Sequence, residues 1–159
     1  MTVHIISVGR LKDKWIKDGT AEYIKMIGGY ATVHETEIAD ERLPDAPSDK
    51  QIAAALSAEA ERILDAIPKN AAVIAMCIEG RELSSEELSG KLSDMCISGK
   101  STIVFIIGSS YGLSDKVKSR ADLRLSMSRM TFPHRLAKVM LCEQIYRALS
   151  IAAGGRYHK

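Results

Sequence analysis

The chain has 159 residues, 46% of them hydrophobic, which is the size of one globular domain able to bury a real core. Its apolar runs fall far short of the roughly 20 residues that span a bilayer, its three cysteines are scattered, and its four histidines show no close metal-binding spacing. These features argue against a membrane segment, a disulfide framework and a metal centre. The net charge of +2 conceals an asymmetry: residues 100–159 carry 11 Lys and Arg against 3 Asp and Glu, whereas residues 1–99 carry 11 against 17. A basic C-terminal part points to a nucleic acid backbone as partner, the alternative being a basic face that complements an acidic protein surface.

The N-terminal MTVHIISVGR enters a strand pattern at Val3–Val8 without the basic, apolar and small-residue layout of a leader, so a reduced, cytoplasmic setting is expected. An amphipathic helix follows over Trp15–Ile27, closed by Gly28-Gly29, then a strand at Thr32–Ile38. The stretch DERLPDAPSDK reads as a surface loop. Ser48 or Asp49 caps a helix over Lys50–Ala66, with Ile52, Ala55, Leu56, Ala60, Ile63 and Leu64 on its apolar side. Ala71–Ile78 is nearly all apolar, as a central strand covered on both faces should be. Ser84 with Glu87 forms a capping box for a helix reaching about Ile97. A strand at Thr102–Ile107, a glycine turn, a short helix near Ser114–Ser119, a strand at Leu123–Met127 and a long helix over Pro133–Ala152 complete the order, with the tail GGRYHK. Strands alternating with helices predict a single α/β domain with a mostly parallel sheet and helices on both faces. Ligands in such domains sit beyond the carboxyl ends of the strands.

The turn Gly108-Ser109-Ser110-Tyr111-Gly112 admits two readings. It fits the G-x-S-x-G elbow of serine hydrolases, with Ser110 as nucleophile and Asp115 or Asp122 and His134 or His158 following in order. Against this, the turn does not lead directly into a substantial helix, and no upstream segment offers a second oxyanion donor. The other reading is a loop whose glycines let the backbone approach a ligand closely.

The segments SVGRLKDKW, VIAMCIEGRELSSEELS, FIIGSSYGL, LSMSRMTFPHRLAKVMLCEQIYRALSI and GGRYHK together closely resemble the ribosomal RNA large subunit methyltransferase H family, part of the SPOUT class of S-adenosylmethionine-dependent RNA methyltransferases. The resemblance runs the length of the chain. It implies a C-terminal trefoil knot, a homodimer, and methyl transfer to N3 of a pseudouridine in 23S rRNA, with the assembled 70S ribosome preferred over free RNA. It further implies that Met76, Gly108 and the loop Met127, Ser128, Arg129, Met130, Thr131 and Phe132 contact S-adenosylmethionine. Leucine is frequent in the family where Met76 stands, and glycine is usual where Ser109 stands.

Methyl transfer to a ring nitrogen requires in-line positioning and loss of the N–H proton. Histidine is the side chain best matched to that proton near neutral pH. His158 is the candidate at the target base, since the family's YHK-like ending lies at the active site, and Tyr157 can stack on an unpaired base. Arg129, Arg135 and Arg156 are candidate phosphate contacts. His134, in the first turn of the last helix, is expected to pack rather than catalyse. Glu143 and Arg147 are spaced as a helix-face pair, on the helix that the resemblance places at the dimer interface.

Overall fold

A computed structural model describes residues 1–158; Lys159, the last residue of the YHK ending, lies outside the described residues. Five strands alternate with five helices in the order β1 (Thr2–Val8), α1 (Lys14–Ile27), β2 (Thr32–Ile38), α2 (Asp49–Ala66), β3 (Ala72–Glu82), α3 (Ser85–Ile97), β4 (Thr102–Ile107), α4 (Asp115–Arg120), β5 (Leu123–Ser126) and α5 (His134–Ala152). All the strands are parallel, in one sheet of order β2-β1-β4-β3-β5.

Strand position explains strand composition. In the central strands β1 and β4, residues 3–8 and 103–107 are buried without a break because helices cover both faces. Side chains alternate between two cores. Val3, Ile5, Ile74, Phe105 and Ile107 meet α1, α3 and α5 on one face, while Ile6, Val73, Val104 and Ile106 meet α2 and α4 on the other. The edge strand β2 is mostly exposed and carries His34, Glu35 and Glu37, which blunts edge-to-edge pairing.

The helix starts follow local rules. Ser84 accepts from the Glu87 N–H while the Glu87 carboxylate accepts from the Ser84 N–H, the capping box expected from sequence. Ser48 caps α2 and, with Gln51, builds a second box that the sequence reading did not identify.

Two strands end elsewhere than expected. β5 ends at Ser126, which leaves Met127 in the following loop. β3 does not stop at Ile78 but continues to Glu82, with an excursion: Met76 and Arg81 both register with Leu125 of β5, so residues 77–80 bulge out between them. Gly80 makes this possible, since a β-carbon there would lie 2.6 Å from the carbonyl carbon of Leu125. Among the described residues no helix is long and apolar enough to cross a membrane, and no cluster of His, Cys, Asp or Glu could hold a metal ion.

Candidate active site

With every strand parallel, the loops after β1, β3, β4 and β5 emerge at the same edge of the sheet. A cleft of about 670 Å³ opens there between the β3 excursion, the glycine turn after β4, the loop after β5 and the first turn of α5. Its size suits a nucleoside-sized ligand. Met76, Gly108, Met127, Ser128, Met130, Thr131 and Phe132 all line it, joined by Ile107, Leu113 and Leu125 as apolar walls. Arg129, although in the same loop, is exposed and is not part of the lining. Cys77, Ile78 and Glu79 line it as well, from the excursion within β3.

Each wall has a local cause. The glycine turn closes on itself: the Gly112 N–H donates to the Ser109 carbonyl at 2.9 Å, and Gly112 has φ +84°. A β-carbon on Gly108 would sit 2.2 Å from the Gly112 carbonyl oxygen. The loop's own backbone therefore requires glycine at 108 whatever occupies the cleft, a stricter reason than room for a ligand. After β5, the Met130 N–H donates to Ser128 Oγ at 3.0 Å and Ser126 Oγ donates to the Ser128 carbonyl at 3.0 Å, which folds residues 126–130 into a tight bend.

The Ser109 hydroxyl donates to Glu59 Oε2 at 3.1 Å. Glu59 is 3% exposed and accepts also from the Glu41 N–H at 3.0 Å, so one buried carboxylate ties the glycine turn to the loop after β2. On that side of the turn lies a smaller hollow of about 330 Å³ with Asp40, Glu41, Asp45 and Glu59 in its walls. His134 borders both hollows and is half-buried; its pKa is lowered, first by burial and then by neighbouring Arg135, with Asp40 opposing.

The serine hydrolase reading fails on geometry. Ser110 is exposed, Ser109 is engaged by a carboxylate, and among the described residues no histidine hydrogen-bonds either hydroxyl. Two of the thiols are equally unsuited to nucleophilic work: burial pushes Cys142 up to about 12 and raises Cys77.

Tyr157 and His158 do not line their own chain's cleft. The tail instead lies along α5 and the start of α3. The Tyr157 hydroxyl donates to Glu143 Oε1 at 3.2 Å, Arg147 stacks 4.6 Å over its ring, and the Tyr146 ring packs edge-on at 4.7 Å. Burial, with hydrogen bonds to Tyr23 and Glu143, pushes the Tyr157 phenol up to about 12, so it stays a neutral donor. His158 Nε2 sits 2.6 Å from Glu86 Oε1. Arg147 donates twice to Glu143, at 2.9 and 2.6 Å, which is the expected helix-face pair. The three candidate phosphate-binding arginines are not gathered in one place: Arg129 stands on the cleft loop, Arg135 pairs with Asp13 at 3.3 Å, and Arg156 is exposed in the tail.

Comparison with known proteins agrees with this geometry. Residues 1–158 match the family described as Predicted SPOUT methyltransferase. The chain is 47% identical to ribosomal RNA large subunit methyltransferase H of an Exiguobacterium species and 46% identical to that of Bacillus pumilus, each over the full length of both chains. A solved structure described as a probable methyltransferase from Bordetella pertussis Tohama I shares the fold with a TM-score of 0.56 at 14% identity, covering 92% of this chain and 95% of that one. A full-length match of this kind, in a chain whose strand ends converge on one deep cleft, means that the chain belongs to the ribosomal RNA large subunit methyltransferase H family of SPOUT methyltransferases.

Proposed function

We propose that this protein methylates N3 of a pseudouridine in 23S rRNA, using S-adenosylmethionine, and that it does so in the cytoplasm as a homodimer acting on the assembled 70S ribosome. The observation that carries the reading is the convergence of Met76, Gly108 and the Met127–Phe132 loop on one cleft at the carboxyl edge of the sheet. The walls fit the cofactor: apolar side chains flank it, and three closely spaced loops offer backbone groups to a purine and an amino acid moiety. When bound, S-adenosylmethionine supplies the methyl group as a sulfonium.

The chain's own residues position and deprotonate. Met76, Gly108 and residues 127, 128 and 130–132 hold the cofactor, and Arg129, Arg135 and Arg156 reach rRNA phosphates at separate points, Arg135 with its remaining N–H donors while it stays paired with Asp13. Tyr157 stacks on the target base as a neutral phenol, and His158 works at the N3 proton. Both tail residues are absent from the lining of their own cleft, which supports an active site completed by the tail of a second copy. A trefoil knot fits the path from β5, at one edge of the sheet, back to α5 packed against both α1 and α3.

The test is transfer of labelled methyl to unmodified ribosomes, separated subunits and free 23S rRNA. Ala137 lines the cleft from α5, so Ala137→Phe fills the cleft without straining the glycine turn. Label on intact ribosomes that is lost in Ala137→Phe and in His158→Ala but kept in Ser110→Ala is the expected result. Absence of label on every RNA would overturn the assignment.

A further inference from the structure

The acidic N-terminal part of the sequence contains one basic island, GRLKDKWIK at residues 9–17, with four cations and one carboxylate. It forms the loop from β1 and the first turn of α1, so it emerges at the same edge of the sheet as the cleft. Gly9, at φ +87°, turns the chain beside α5, where its β-carbon position lies 3.6 Å from His134 Nε2. Asp13 occupies the N-cap position of α1 without capping it; its carboxylate accepts instead from Arg135 at 3.3 Å. The island is thereby fastened to the first turn of α5, the turn that carries the cleft loop.

Two features of the island have no role in the fold. Trp15 is the only tryptophan and is 64% exposed, whereas its neighbour Ile16 is buried. A side chain of that size ordinarily buries most of its surface. Arg10, Lys12 and Lys17 are exposed and make no ion pair among the described residues; Lys14 pairs with Asp18. Six of the C-terminal cations that dominate the sequence balance behave differently: Lys116, Lys118, Arg120, Arg135, Lys138 and Arg147 are engaged by carboxylates.

We infer that the β1–α1 loop is an RNA-gripping surface, with Arg10, Lys12 and Lys17 on phosphates and Trp15 stacked on an unpaired base. This rests on RNA being the substrate and adds a surface to that reading. An exposed aromatic face set among free cations is the combination that holds single-stranded nucleic acid. A membrane surface would call for more apolar contact than one tryptophan offers, since Leu11 is half-buried and Ile16 is fully covered.

The probe is a fluorescein-labelled RNA hairpin with a uridine loop, titrated at several salt concentrations. Joint replacement Arg10→Ala, Lys12→Ala and Lys17→Ala should reduce the slope of log affinity against log salt by about 2–3, one unit for each phosphate released. Lys69→Ala, at the opposite edge of the sheet, should leave it unchanged. Trp15→Ala should weaken binding roughly tenfold and Trp15→Phe should restore most of it. Should Trp15→Ala fail to fold, the charge variants at exposed positions decide the matter. An unchanged slope overturns the proposal, as does a Trp15→Ala protein whose only defect is an altered oligomeric state. S-adenosylmethionine affinity, measured by calorimetry, should be the same in all these variants. Loss of hairpin binding in a protein that methylates no ribosome would uphold the patch and reject the methyltransferase reading; normal hairpin binding with normal methyl transfer would do the reverse.

Discussion

His4 and His134 illustrate how single side chains set the protein's response to pH. Both are held below the ordinary 6.5 chiefly by burial, His4 with a further push from His34. Each is therefore favoured neutral in the folded chain and regains its usual affinity for protons on unfolding. Above about pH 6.5 neither state binds the proton and the folded chain keeps its full stability; as pH falls through 6.5, the unfolded state alone gains protons and stability drops. The lowered carboxyls of Glu79 and Glu86 add a loss of the same sign only below their ordinary 4.5. The urea midpoint should accordingly fall between about pH 7.5 and about pH 5.5, and combined His4→Gln and His134→Gln should flatten that fall. An unaltered slope in the double variant would show that other groups govern it.

At the scale of elements, α5 is seated by a lysine that points inward. Lys138 is 2% exposed, with its Nζ 3.0 Å from Glu35 Oε1 on β2 and 3.2 Å from Ser7 Oγ on β1. The two ends of this pair are not equivalent, because Glu35 retains access to water and Lys138 does not. Glu35→Ala leaves a buried ammonium with one hydroxyl for company and should cost about 3 kcal/mol. Lys138→Met leaves a carboxylate that water can reach and should cost about 1 kcal/mol. Urea denaturation of both variants checks the order; equal losses would mean that packing around the aliphatic stem, rather than charge, holds the helix. The same contrast explains which element boundaries were legible. The start of α3 is written locally in Ser84 and Glu87, and that of α5 in Pro133, which occupies its N-cap position although no side chain caps the helix. The second half of β3 was not readable in this way. Residues 81 and 82 pair with β5, and a local pattern of charged and glycine residues carries no trace of a partner that far along the chain.

For the whole molecule, the decisive arrangement is the separation of the tail from the cleft of the same chain. If the protein is the proposed homodimer, a mixed dimer in which one protomer bears Ala137→Phe and the other His158→Ala distinguishes the two ways of completing a site. If the tail acts on the other protomer's cleft, one intact site survives and roughly half of the methyl transfer remains, although each parent homodimer is inactive. If the tail acts in its own chain, the mixed dimer is dead. The pairing of charges also belongs to this scale. The basic balance of residues 100–159 suggested an open nucleic-acid surface, yet six of those cations close ion pairs, four of them with acids from the N-terminal part: Lys116 with Glu61, Lys118 with Glu79, Arg135 with Asp13 and Lys138 with Glu35.

Sequence by itself determined the order of elements, the two-sided burial of the first half of β3, the capped starts of α2 and α3, and the loops whose ends would meet at a ligand. These depend on periodicity and on contacts a few residues apart, which any chain segment displays before it folds. Only the tertiary structure decided that Gly108 is demanded by the Gly112 carbonyl, that Glu59 anchors Ser109, that the tail rests on α3 and α5, and that a basic loop near the N-terminus stands beside the cleft. Each of those contacts depends on the sheet order β2-β1-β4-β3-β5 or on a turn's closure in three dimensions. Sheet order is set by which long-range pairings bury the most apolar surface, a property of the assembled core rather than of any window along the chain.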